Sequence, residues 1–134
     1  MQTERELQLH KELELMDEAK NQCIRAERQL DRLEDDALWQ NRRSKELNDE
    51  LFESYSQDKK LQQILIRGAE LLQKQILAEN NFFQECRENL QEKKNKADRQ
   101  IDDYREEIQR IQKETAKEGE CNEDNDNDYS ARER

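Results

Sequence analysis

Apolar and small residues recur every seven positions along the first part of the chain, at Leu9, Met16, Cys23, Leu30, Ala37, Ser44 and Leu51. Ala19, Ala26, Leu33 and Leu47 follow four of these by three residues. This is the a/d pattern of a helix that buries one narrow stripe against a partner helix. A second series runs through Ile76, Phe83, Leu90, Ala97, Tyr104 and Ile111, joined toward its end by Ile101, Ile108 and Thr115. Between the two series lies Glu53-Ser54-Tyr55-Ser56-Gln57-Asp58-Lys59-Lys60, whose seryl and aspartyl side chains cap helices and compete with helical backbone hydrogen bonds. The pattern predicts a first helix over about residues 3–54, a turn at about 55–58 and a second helix over about 59–117.

Folding back at about residue 56 or 57 makes the two seams face each other. Leu9 then lies opposite Tyr104, Met16 opposite Ala97, Cys23 opposite Leu90, Leu30 opposite Phe83 and Ala37 opposite Ile76. Each pair sets an a position against a d position, as antiparallel packing requires. The same ladder sets Ala19, Ala26 and Leu33 against Lys94, Arg87 and Asn80, so one of the two kinds of layer is polar through its middle. A seam this thin gives an isolated hairpin of marginal stability. The expected fold is all-α: a long antiparallel two-helix hairpin, or coiled coil, over residues 1–117, followed by a disordered acidic tail over 118–134.

Composition favours long helices over a compact globule. Of 134 residues 31% are hydrophobic and 43% charged, and the mean hydropathy is -1.48. There is no proline and there are two glycines, whereas disordered chains are usually rich in both. Residues 1–57 carry 9 basic and 15 acidic side chains, residues 58–117 carry 13 and 12, and residues 118–134 carry 2 and 7. The last stretch has no apolar period, which is the basis for reading it as disordered. A formal net charge of -10 argues against a nucleic-acid ligand, because phosphate binders present a basic stripe. No apolar run approaches the roughly 20 residues needed to span a bilayer, and the first residues lack a hydrophobic leader, so membrane insertion is not expected and a cytoplasmic location is.

Some apolar residues lie outside the seam. At about 100° per residue, Ile64, Leu71 and Phe82 project well away from it on the second helix, with Leu61 and Cys86 on the shoulder between. Ile24, Leu38 and Phe52 form a sparser flank on the first helix, with Trp39 beyond. Ideal geometry places these two flanks on opposite sides of the hairpin. Such stripes pack on further helices, so all eight flank residues are candidate partner contacts. The partner is either another helical protein or a second copy in a homodimer.

Candidates for chemistry are few. His10 has no second histidine or cysteine at ligand spacing and is expected to be solvated. Cys23, Cys86 and Cys121 are odd in number and widely spaced, fitting free thiols better than disulfides or zinc. Nothing desolvates one carboxylate relative to another, so no general acid and base emerge. No catalytic residue, cofactor or metal site is expected. Gly68 stands alone and marks a close helix approach or a local weak point. Asp124, Asp126 and Asp128 alternate as in a calcium loop, but Tyr129 takes the place of its glycine and the closing glutamate is missing.

In Glu50-Leu51-Phe52-Glu53-Ser54-Tyr55 before the bend, in Phe82-Phe83-Gln84-Glu85 and in the charged helix from Lys93 to Lys113, the chain resembles a known group. These are the small α-helical accessory proteins that accompany LXG-domain toxins of type VII secretion in Gram-positive bacteria. Related WXG-type hairpins carry Trp-x-Gly at the bend, where this chain has Tyr55-Ser56-Gln57. The resemblance implies a chaperone or targeting factor, not an enzyme. It would bind the helical N-terminal domain of the toxin, often together with a second small helical protein, and present it for export, whether or not it leaves with the cargo. Tyr129 and Glu133 have the aromatic-to-acid spacing of an export signal of such substrates. The alternatives are a structural homo-oligomer and a stalk protein of an export ATPase.

Overall fold

The computed structural model describes the backbone of residues 3–133 and the side chains of residues 3–118. The expected disordered tail, Cys121, the aspartates of the calcium-like run and the Tyr129 and Glu133 signal lie outside the residues whose side chains are described. The chain forms two helices, α1 (Glu4–Ser54) and α2 (Lys59–Glu133), packed as a hairpin.

The helix ends follow from local side-chain chemistry. Thr3 Oγ1 accepts a 3.1 Å hydrogen bond from the Glu6 backbone N–H and so satisfies one of the unpaired donors at the start of α1. Asp58 does the same for α2, its Oδ1 accepting from Leu61 N at 3.0 Å. At the other side of the bend the last carbonyls of α1 have no helical partners of their own. Gln62 Nε2 reaches back and donates to the Phe52 carbonyl at 3.1 Å. The bend thus needs no glycine, and none of the described residues other than glycine has positive φ.

Packing divides the chain into two compact units, Gln22–Lys93 around the bend, and Met1–Asn21 with Lys94–Arg134. In the unit around the bend, Leu30, Leu65 and Phe83 are buried. Asn48 Nδ2 crosses from α1 to donate to the Leu65 carbonyl at 3.0 Å. A Cβ on Gly68 would sit 3.4 Å from that same side-chain nitrogen, an ordinary van der Waals distance, so the packing here does not require glycine. In the other unit Leu9 is fully buried and Ala97, Ile101 and Ile108 are nearly so, with Arg5 to Glu107 at 3.0 Å and Lys20 to Asp98 at 2.6 Å along its edge.

Five positions read as seam in the sequence are exposed: Leu33, Ser44, Leu47, Leu51 and Thr115. For Leu33 the physical reason lies in the polar layers of the ladder. Arg87, which the ladder places opposite Ala26, turns to Asp31 at 2.8 Å and to Glu34, both on the other side of α1. An a/d layer holding an arginine does not close as an apolar contact, and in the next layer Leu33, set against the polar Asn80, faces outward.

Adjacent phenylalanines give a test of this packing. Phe83→Ala empties the seam and should lower stability by about 2–4 kcal/mol, whereas Phe82→Ala should change it by less than about 0.5 kcal/mol, as read from urea unfolding followed by circular dichroism.

Candidate partner-binding surface

In the unit around the bend, the residues flanking the seam can be ordered by angle at about 100° per residue. On one side of Leu30, α1 presents Gln22, Ala26, Gln29 and Leu33, then Gln40, Ser44, Leu47 and Leu51. None is charged. On one side of Leu65, α2 presents Ile64, Gly68, Leu71 and Gln75, then Ala78, Phe82, Cys86 and Asn89, again without a charge. Both strips belong to the same side of the unit, because Ala26, Gln29 and Leu33 line one open groove together with Phe82, Cys86 and Asn89, with Glu85 as the one charged residue in its lining. The groove holds about 510 Å³ and is floored by Leu30 and Leu90.

Its apolar walls are not covered by the chain itself. Leu33 is 57% exposed and Phe82 56%, while Ile64 and Leu71 farther along α2 are 55% and 61% exposed. The Phe82 ring stands edge-on to the buried Phe83, with centroids 5.6 Å apart, so the seam holds the outer ring in a fixed place. Cys86 and Leu61 are half-buried on the shoulder, and Cys23 and Cys86 are free thiols. Of the other flank, Leu38 and Phe52 are exposed and Ile24 is half-buried. Trp39 is exposed as well.

Sequence reasoning missed Leu33, Leu47 and Leu51 as surface residues, because their heptad spacing reads as seam. The signal that identifies Leu33 was the polar residue set opposite it by the ladder. Ile66 and Leu77 on the far side of α2 are also exposed and escaped the flank assignment.

The polar contacts among the described residues brace the hairpin. Asn41 Nδ2 donates to Glu79 Oε2 at 2.8 Å across the helices, and Gln75 Nε2 donates to Oε1 of the same carboxylate at 3.0 Å. These bonds, that of Gln75 first, hold the Glu79 carboxyl below its ordinary pKa. The hydrogen bonds that the Arg87 guanidinium donates to Asp31 and Glu34 push its pKa up from an already high value. His10 is a correction: it is half-buried, and its Nε2 is shielded with no hydrogen-bond partner among the described residues. Among those residues no cluster of three His, Cys, Asp or Glu could hold a metal ion, and no helix is long and apolar enough to cross a membrane.

No family model, curated protein or solved structure matches the chain.

The Glu79 contacts carry a pH dependence of definite sign. A carboxyl whose folded pKa is lowered adds stability above its unfolded pKa and loses it as pH falls through the folded pKa. Asn41→Ala should therefore raise the Glu79 pKa toward the ordinary value in carbon-detected NMR titration. The melting-temperature gap between variant and wild type should be present at neutral pH and shrink as the carboxyl is protonated.

Proposed function

We propose that this protein is a non-enzymatic helical adaptor. Its unit around the bend holds a helical partner on the exposed apolar flanks, and the partner is the helical N-terminal domain of an LXG-type toxin that the adaptor targets for type VII secretion from the cytoplasm. One observation carries the partner-binding part: Phe82 and Leu33 face each other across an open groove with more than half of each residue's surface exposed, while Phe83 and Leu30 beside them are buried. Isolated apolar residues on a surface are ordinary, but aligned uncharged strips on both helices of a chain that is 43% charged, with Glu85 the one charge in the groove lining, make a surface depleted of charge. The resemblance in Glu50–Tyr55, Phe82–Glu85 and Lys93–Lys113 supplies the cargo class.

The physics of such an adaptor is simple. A two-helix hairpin buries one seam, and helices added to its flank complete a bundle that buries the rest. The cargo helices would gain the same cover, which keeps them from aggregating before export. The eight flank residues Leu61, Ile64, Leu71, Phe82, Cys86, Ile24, Leu38 and Phe52 are joined by Leu33, Leu47 and Leu51 as contacts. Those on the groove side form the main surface, and Ile24, Leu38 and Phe52 serve a second helical chain where one takes part.

The test is co-expression of the tagged chain with an LXG toxin N-terminal domain encoded beside it. Wild type should co-purify with that domain, and Phe82→Asp should lose it while keeping its own helical circular dichroism and melting temperature. A chain that forms a tight dimer in light scattering, unaffected by Phe82→Asp, contradicts the reading.

A further inference from the structure

We propose that the occupant of the groove is an amphipathic helix whose apolar stripe is bordered by carboxylates. The inference deepens the adaptor reading and rests on it for the existence of a partner. It comes from the charges that frame the uncharged strips. Out to about 160° from the seam on the groove side, the charged residues bordering the strips are Arg25, Arg32 and Arg43 with Asp36 and Glu50 on α1, and Lys60, Arg67 and Lys93 with Glu85 on α2. All nine are exposed, and Arg43 also pairs with Glu46 at 3.6 Å. A chain of net charge -10 thus borders one face with six basic residues and three acidic residues. A helix laid along the groove puts its own border positions against this rim, where opposite charges favour docking and like charges oppose it.

Size and shape follow from the strips. They run from Gln22 to Leu51 and from Ile64 to Asn89, so a helix of roughly 25–30 residues, about 40 Å long at 1.5 Å per residue, matches them. A second copy is a poor occupant on two grounds. Groove against groove brings two basic rims together. Groove against the opposite side brings Lys45, Asp49 and the Arg87-paired Asp31 and Glu34, which stand among Ile24, Leu38 and Phe52 on that flank of α1, onto the uncharged strips, where these charges lose solvent and gain no new partner.

Two synthetic helical peptides with identical Leu/Ala stripes, one bordered by Glu and one by Lys, test this against the full-length chain by fluorescence anisotropy. The Glu-bordered peptide should bind about tenfold tighter or more near 0.1 M salt, with the preference shrinking as salt screens it. The triple variant Arg43→Glu, Lys60→Glu, Lys93→Glu should lose the preference and keep its circular dichroism spectrum. Phe82→Asp should weaken both peptides. Equal binding, tighter binding of the Lys-bordered peptide, or no binding of either overturns the inference. So does a dimer in sedimentation that Phe82→Asp dissociates, which would make a second copy the occupant. Peptides that fail to discriminate while the toxin domain still co-purifies refute the charge inference alone. A toxin domain that fails to co-purify while the Glu-bordered peptide binds refutes the cargo assignment and supports the charge inference.

Discussion

Two helices packed side by side can bury only one stripe of each, and this chain has more apolar surface around its bend than one stripe accommodates. Leu30, Leu65 and Phe83 fill the seam there. Leu33, Leu47, Leu51, Ile64, Leu71 and Phe82 are left outside it. Apolar side chains in water cost free energy in proportion to their exposed area, so the hairpin alone is an incomplete solution for its own sequence. The polar layers make this worse, since Arg87 leaves the seam for Asp31 and Glu34 and no apolar contact replaces it.

Much of the fold was legible in the sequence because its causes are local. The heptad spacing gives two helices, and Asp58 ahead of Lys59 gives the start of the second, its carboxylate capping Leu61 N as an N-cap should. The absence of proline and near-absence of glycine let each helix run for many turns. The Asn48 side chain crossing to the Leu65 carbonyl beside Gly68 was not legible, because it depends on the register of the two helices.

The surface was legible only in part. Ile64, Leu71 and Phe82 depart from the seam by angle alone and stand exposed. Leu33, Leu47 and Leu51 keep heptad spacing and yet lie outside, because spacing fixes a direction to within a helix flank and the partner layer decides whether that flank closes. His10 shows the same limit from the other side: it lies beside the seam residue Leu9 but ahead of Lys11 and Glu12, and the shielding of its Nε2 comes from packing that spacing does not encode. The tight framing of the uncharged strips by Arg25, Arg43, Lys60 and Lys93 becomes meaningful only once the groove shows that strips from two helices share one side.

The account therefore turns on whether the groove is wet in the chain by itself. Solvent paramagnetic relaxation enhancement on side-chain resonances, recorded on the isolated protein at low concentration, measures this directly. Strong enhancement at Phe82 and Leu33 beside weak enhancement at Phe83 and Leu30 is the result expected of an uncovered face on a closed seam. Protection of all four residues alike would show that the chain already covers this surface and has no vacancy for a partner.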